Sequence, residues 1–352
     1  MAELMKYLQQ AVEHEASDIF IVAGGPVHEK REGQLVAMDG EKLMPDNTRE
    51  LIGQIYQMAG RSIDVFEEAG DDDFSFAVPG MARFRVNAYR QRGSMAAVIR
   101  VVSFDIPDWR EYNLPEAVID LADETHGMIL FTGTAGSGKS TTQACIIDRI
   151  NHQRSCHIIT LEDPIEFLHR NNKSIVSQRE IAIDTDNYLS ALRACLRQAP
   201  DVIQLGEMRD LETIRTAMTA AETGHLLFAT LHTRGAVNSI DRVIDAFPAG
   251  QQDQIRVQLS MILRTVVSQQ LIPDVDGNMI PAFEIMHVNS AIRNMIRDNK
   301  SHQIDMAIAA GGDEGMISMD QYIAGLYEAG KITLQTALEY ADNPEQMERR
   351  LK

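Results

Sequence analysis

The segment GTAGSGKS, Gly133 to Ser140, constrains this chain more than any other stretch of it. It fits the spacing G-x-x-x-x-G-K-[ST]. An apolar run, Met128 to Thr132, leads in, and STTQACIIDRI leads out with the composition of a helix. Glycines let backbone N–H groups curl around phosphate oxygens with no Cβ in the way. The helix start adds partial positive charge. Thr134, Ala135, Gly136, Ser137 and Gly138 are therefore expected to cradle a nucleotide, ATP. Lys139 is expected to reach the β and γ phosphates, Ser140 to ligate Mg²⁺, and Thr141 to meet the α phosphate. A glycine turn that merely starts a helix would not require strand, lysine, serine and helix in this order.

Hydrolysis needs an acid to hold Mg²⁺ and orient the attacking water. Two segments downstream supply one. HIITLEDPIEF runs an apolar strand into Glu162 and Asp163, and Pro164 stops it. DVIQLGEMRD delivers Glu207 one residue after the strand Val202 to Leu205 and the small Gly206, which is expected to let the chain pass close to the metal. Both acids then fall at the carboxyl edge of a parallel sheet, where open α/β sheets bind ligands. A lone acid at a strand end is ordinarily just solvated; two behind one phosphate loop are not. Glu207 is favoured near metal and water, with Glu162 as its polarising partner, and which of them is the general base stays open. Gln204 is out of place in an otherwise apolar strand.

AAETGHLLFATLHTRGA carries His225 and His232 at either end of another strand. The preceding helix starts at Asp210, a favourable N-cap, and closes at Gly224. A histidine just past a core strand can sense the γ phosphate as a neutral or protonated donor. Either one alone would read as structural, and no further ligands cluster at zinc spacing.

The alternation of MILFT, HIIT, DVIQL and LLFAT with helical segments predicts an α/β fold with a parallel sheet. Ahead of it, residues 1–104 read as a smaller mixed α+β domain. Leu4, Leu8 and Val12 form a helical stripe, and strands are expected in SDIFIVAGG, DDFSFAV, MARFRVNAY and MAAVIRVV. Residues 105–118, with two prolines and little periodicity, read as a linker; residues 119–352 form the main domain, and from about 288 onward the chain is helical, with GGDEG at Gly311 to Gly315 a flexible joint. The net charge of −18 disfavours a nucleic acid partner, because such a surface repels phosphate backbones. Three cysteines without a CxxC pair argue against a disulfide framework or zinc site. No apolar run reaches the roughly 20 residues of a bilayer span, and the amino terminus lacks the segments of a signal peptide, so a cytoplasmic location is expected.

GTAGSGKST, ITLEDPIEF, APDVIQLGEMRDLETI and TGHLLFATLHT resemble the Walker A, aspartate box, Walker B and histidine box of the secretion and pilus motor ATPases. FRVNAYRQRG, IDRVIDAFPAGQQDQIRVQLS and EIMHVNSAIRNMIRDNKSHQ are similar to the type IV pilus retraction ATPases in particular. The resemblance runs from about Ser17 to the last helices. Thr134 and Ala135 depart from the family's usual loop wording, at positions that only shape the turn, and the paired CxxC of the extension ATPases is absent.

The resemblance implies a RecA-like ATPase domain behind a PAS-like domain, in a homohexamer binding ATP between subunits. It implies that Arg85 in FRVN and Arg100 in VIRVV reach the nucleotide; Arg83, Arg90 and Arg92 are nearby alternatives. Guanidinium groups suit that task because they bind phosphate oxygens in pairs. His225 or His232 would couple phosphate state to domain rotation. The implied partners are a pilus platform protein of the inner membrane, at whose cytoplasmic face the ring would dock, and a paralogous motor ATPase. The implied function is pilus retraction and twitching motility. An accessory retraction motor, a secretion or assembly ATPase, a non-catalytic ATP-binding regulator and a nucleic-acid motor are the competing readings.

Overall fold

A computed structural model of the chain describes residues 2–31, 33–38, 41–102 and 106–352. The chain divides into two compact units, residues 1–105 with 166–168, and residues 106–165 with 169–352.

The first unit is built on an antiparallel sheet. Its strands are β1 (Asp18–Ile21), β2 (His28–Arg31), β3 (Gln34–Ala37), β4 (Asp71–Val78), β5 (Ala82–Gln91) and β6 (Ser94–Val102), in the order β3-β2-β1-β6-β5-β4. Helices α1 (Ala2–Glu13) and α2 (Pro45–Ala59) bury their apolar stripes with the sheet: Leu4 and Leu8, then Leu51, Ile52 and Ile55, join Ile19, Phe84, Val86 and Ile99 in one core. A short α3 (Asp64–Ala69) adds Phe66. Buried Asp72 is matched by Arg61 through two bonds of 2.9 and 2.8 Å and by the Tyr56 hydroxyl at 2.9 Å, the paired arrangement a buried carboxylate needs.

The second unit carries a larger sheet of β7 (Gly127–Thr132), β8 (His157–Glu162), β9 (Ile175–Glu180), β10 (Val202–Leu205), β11 (Leu226–Leu231), β12 (Leu263–Pro273) and β13 (Met279–His287). The order is β13-β12-β7-β11-β10-β8-β9, parallel throughout except where β13 folds back on β12. Both faces are covered, which is why β7, β10 and β11 are buried at every position. Ile129, Phe131, Val202 and Phe228 pack with α5 (Lys139–Gln153) through Ile146, Ile147 and Ile150. On the other face Met128, Leu130, Ile203 and Leu227 pack with α6 (Tyr188–Cys195), α7 (Leu211–Glu222), α8 (Ala236–Asp245) and α9 (Ala249–Ile262).

Residues 106–118 pack on the second unit's core. Leu114 and Val118 are buried against α5, and Ile119 follows in a short α4 (Glu116–Ile119). The carboxyl-terminal stretch carries α10 (Ser290–Arg297), α11 (Ile304–Ala310), α12 (Met319–Glu328), α13 (Leu334–Tyr340) and α14 (Pro344–Leu351). Between α11 and α12 the GGDEG segment forms one 3-10 turn. No helix among the described residues is long and apolar enough to cross a membrane.

Candidate active site

The parallel register brings four of the expected features to one edge of the second sheet. The phosphate loop follows β7, Glu162 ends β8, Glu207 follows β10 and His232 follows β11, and these four strands lie side by side as β7-β11-β10-β8.

The loop is held open by its glycines. Gly133, Gly136 and Gly138 have φ of +141°, +76° and +86°. A Cβ on Gly133 would lie 2.2 Å from the Gln269 carbonyl and 2.7 Å from Ser137 Oγ, and one on Gly138 would lie 2.8 Å from Gln269 Nε2. The loop therefore lies flush against β12. Gln269 also accepts a 2.8 Å bond from Thr142 Oγ1 on α5, tying strand and helix together. Lys139 is buried, and its ammonium group donates to the Gly133 and Thr134 carbonyls at 2.8 Å each. Ser140 and Thr141 occupy the first turn of α5. Beside that turn a cavity of about 260 Å³ is lined by Gly138, Thr141, Thr142, Leu271, Met279 and Pro281, and by residues 111–114.

The two acids have different surroundings. Glu162 is 8% exposed and accepts from Thr160 Oγ1 at 2.6 Å and Gln178 Nε2 at 3.1 Å through the same oxygen. Glu207 is more open. Arg209 Nε donates to its Oε2 at 2.7 Å, and His232 Nε2 stands 3.3 Å from its Oε1. The bond to Glu207 raises the Arg209 pKa further, so that guanidinium stays charged. The Glu207 loop is stitched to β11 by the Met208 amide, which donates to the Thr230 carbonyl, and by the Thr230 hydroxyl, which donates to the Gly206 carbonyl. Gly206 has a packing reason to be small: a Cβ there would lie 2.6 Å from the Tyr188 hydroxyl. Burial first, then the charges of Asp163 and Glu207, push the Tyr188 phenol up, so it remains a protonated donor beside the acids. Gln204, the polar residue in β10, bonds Gln143 of α5 across 3.4 Å.

Other expected residues are elsewhere. His225 precedes β11, at the amino edge of the sheet, where its Nδ1 meets the Ala220 carbonyl at 2.9 Å and Thr223 Oγ1 at 3.1 Å. The length of β11, roughly 20 Å, separates it from the loop edge. Within the chain it ties down the end of α7 and does not join the acids. Arg85 and Arg100 lie in the first unit as direct cross-strand neighbours on β5 and β6. Asp73 is 3.7 Å from Arg85, and Arg100 Nε donates to Asp18 at 3.0 Å. With Asn87 and Val98 these four side chains line a cavity of about 220 Å³.

Gln269, Tyr188 and Arg209 were not marked by sequence. A glutamine in a half-polar strand and a lone tyrosine carry no signal. For Arg209 the signal was its place two residues from Glu207, a spacing at which a counter-ion could have been sought.

Comparison with known proteins follows the same lines. The model of the type II/IV secretion system protein family matches residues 1–311. The chain is 43% identical to the type IV pilus retraction ATPase PilT of Pseudomonas aeruginosa, over 97% of this chain and 99% of that one. It is likewise 43% identical to a twitching motility protein of Neisseria gonorrhoeae, over 86% and 82%. A crystal structure of the pilus retraction motor PilT with bound ADP superposes with a TM-score of 0.90 at 44% identity, covering 98% of both chains.

Proposed function

Because the chain belongs to the type II/IV secretion system protein family, we propose that it is a cytoplasmic ATPase whose hydrolysis of ATP drives retraction of type IV pili. The carrying observation is the meeting of the Lys139 loop, Glu162, Glu207 and His232 on one sheet edge. Relatives named as a pilus retraction ATPase and a twitching motility protein match over most of the chain, which supports the direction of movement; a ring of six copies is part of this reading. A membrane platform protein and a paralogous motor ATPase are the partners this reading calls for.

ATP would lay its phosphates in the loop, where the Lys139 ammonium exchanges carbonyl oxygens for phosphate oxygens, a stronger charge-assisted bond. The base would lie in the slot formed by Leu271, Met279, Pro281 and residues 111–114, whose apolar walls suit a planar ring. Ser140 and Glu207 would hold Mg²⁺; an all-oxygen set with a single carboxylate suits an ion bound mostly by phosphate and water. When bound, Mg²⁺ neutralises charge on the β and γ oxygens. Glu207, oriented by Arg209 and His232, would position the attacking water, and buried Glu162 would polarise it. Arg85 and Arg100 would steady the charge that develops on the phosphoryl group.

Phosphate release by the purified chain and its Lys139→Ala and Glu207→Gln variants tests this. Loss of at least about a hundredfold in turnover is expected for each. Near-normal turnover in either, or failure of the wild-type chain to restore retraction to a strain lacking its motor, counts against the reading.

A further inference from the structure

The loop after β11 carries His232 to Glu207 and then enters α8. Its exit is pinned at two successive amides. The Gly235 amide donates to Ser268 Oγ at 3.0 Å, and the Ala236 amide donates to Glu284 Oε1 at 2.7 Å. Ser268 and Glu284 face each other in the β12–β13 register. Gly235 has a φ of +79°, which lets the chain turn over these two side chains. Helix starts are usually satisfied by an exposed serine, threonine or aspartate at the cap itself. Here the acceptor is a carboxylate 6% exposed, contributed by a strand 48 residues further along the chain. A buried carboxylate is costly unless it is hydrogen-bonded.

Glu284 also stands between two spaces. On one side a cavity of about 20 Å³ is bordered by Gly133 and Thr134 of the phosphate loop together with Gly235, Ser268 and Glu284, room for about one water. On the other a polar cavity of about 680 Å³ is shared with Arg234, Asp305, Asp320, Asp342 and Arg350. The same carboxyl thus bonds the root of the histidine loop and borders the small cavity beneath the phosphate loop.

We propose that Glu284 is a positioning residue for ATP hydrolysis: through the Ala236 amide, with Ser268 as the second anchor, it fixes the loop that presents His232 to Glu207. This rests on the hydrolytic reading above. Burial pushes the Glu284 carboxyl up to about 7; Asp342 and Asp305 push the same way, and the Ala236 and Met319 amides oppose them. The charged groups facing it are Arg234 of the loop after β11, Asp305 of α11, Asp320 of α12, Asp342 between α13 and α14, and Arg350 of α14.

Two measurements test the proposal. Amide exchange over residues 232–238, corrected for intrinsic rates, needs no catalysis. Protection there is expected to rise through about pH 7 in the wild type as the carboxylate forms, to stay flat in Glu284→Gln, and to fall in Glu284→Ala and Ser268→Ala. Turnover and the dissociation constant for a fluorescent ATP analogue come second. Glu284→Ala is expected to lose about 10- to 100-fold in turnover, the penalty of a small misplacement, with nucleotide affinity within about twofold. Ser268→Ala, which strands no charge, should show a smaller loss of the same kind. Glu284→Gln keeps an acceptor and should recover most of the turnover. In a His232→Ala background, Glu284→Ala should cost almost nothing more, since residues acting through one another are non-additive. Additive losses, a defect confined to affinity, or unchanged exchange over 232–238 would overturn the proposal. A wild-type chain that releases no phosphate overturns the hydrolytic reading instead, while exchange still judges the anchor.

Discussion

Gly206 sits where any side chain would collide. A Cβ there would lie 2.6 Å from the Tyr188 hydroxyl and 2.9 Å from the Leu161 carbonyl, and the latter is backbone that cannot step aside. Gly206→Ala should therefore displace the Glu207 loop more than it unfolds the sheet. Turnover is expected to fall about tenfold or more while nucleotide affinity is kept; a variant with normal turnover would show that the loop absorbs the methyl group. At this scale the site was partly legible. Lys139, Glu162 and Glu207 announce themselves because each follows an apolar strand, and strand ends in a parallel sheet share an edge. The same rule separates the two histidines: seven positions apart on one strand, they cannot both stand at its carboxyl end. His225 consequently bonds the end of α7, and only His232 reaches Glu207. Gln269 was invisible because its role depends on Thr142, a partner 127 residues away.

Among the elements, β12 matters most to the loop it supports. Its Gln269 carbonyl comes so close to Gly133 that a methyl group has no room. Gly133→Ala is expected to abolish ATP binding in an equilibrium titration while leaving the thermal transition within a few degrees, because the clash is confined to the loop edge. Retained affinity would mean that β12 can retreat. Strands β12 and β13 were missing from the sequence reading, as was β9. Ser268, Gln269 and Gln270 interrupt the apolar pattern of β12 because its far end lines a site rather than a core. In β9, Ser177, Gln178 and Arg179 lie on a half-covered sheet edge, where burial does not select apolar residues. The continuous apolar runs of β7, β8, β10 and β11 were readable because both of their faces are covered. Likewise Asp210 was recognisable as the cap of α7, and its carboxylate accepts from the Thr213 amide at 2.9 Å.

At the scale of the molecule, acidity is unevenly stored. The net charge is −18, and several carboxyls are held above their ordinary range mainly by burial, Glu284, Asp305 and Asp342 among them. The folded form therefore keeps protons that the unfolded chain has released. Stability contributed this way is full below the ordinary carboxyl pKa and is lost as pH rises toward the folded value, for Glu284 from 4.5 to about 7. Glu284→Gln removes the titration, so its stability relative to the wild type should climb across that window by up to about 3 kcal/mol. Urea unfolding at pH 5 and pH 8 measures it; an equal offset at both pH values would show that Glu284 ionises without strain. The two neighbouring guanidinium groups on β5 and β6 are the counterpoint to this surplus of acid. Side by side, Arg85 and Arg100 would repel one another, and Asp73 and Asp18 already act as their resident anions. Their charge is thereby offset in part, while other N–H groups of both guanidiniums stay open to solvent. Because both guanidinium groups are partly exposed, these two ion pairs weaken as salt rises.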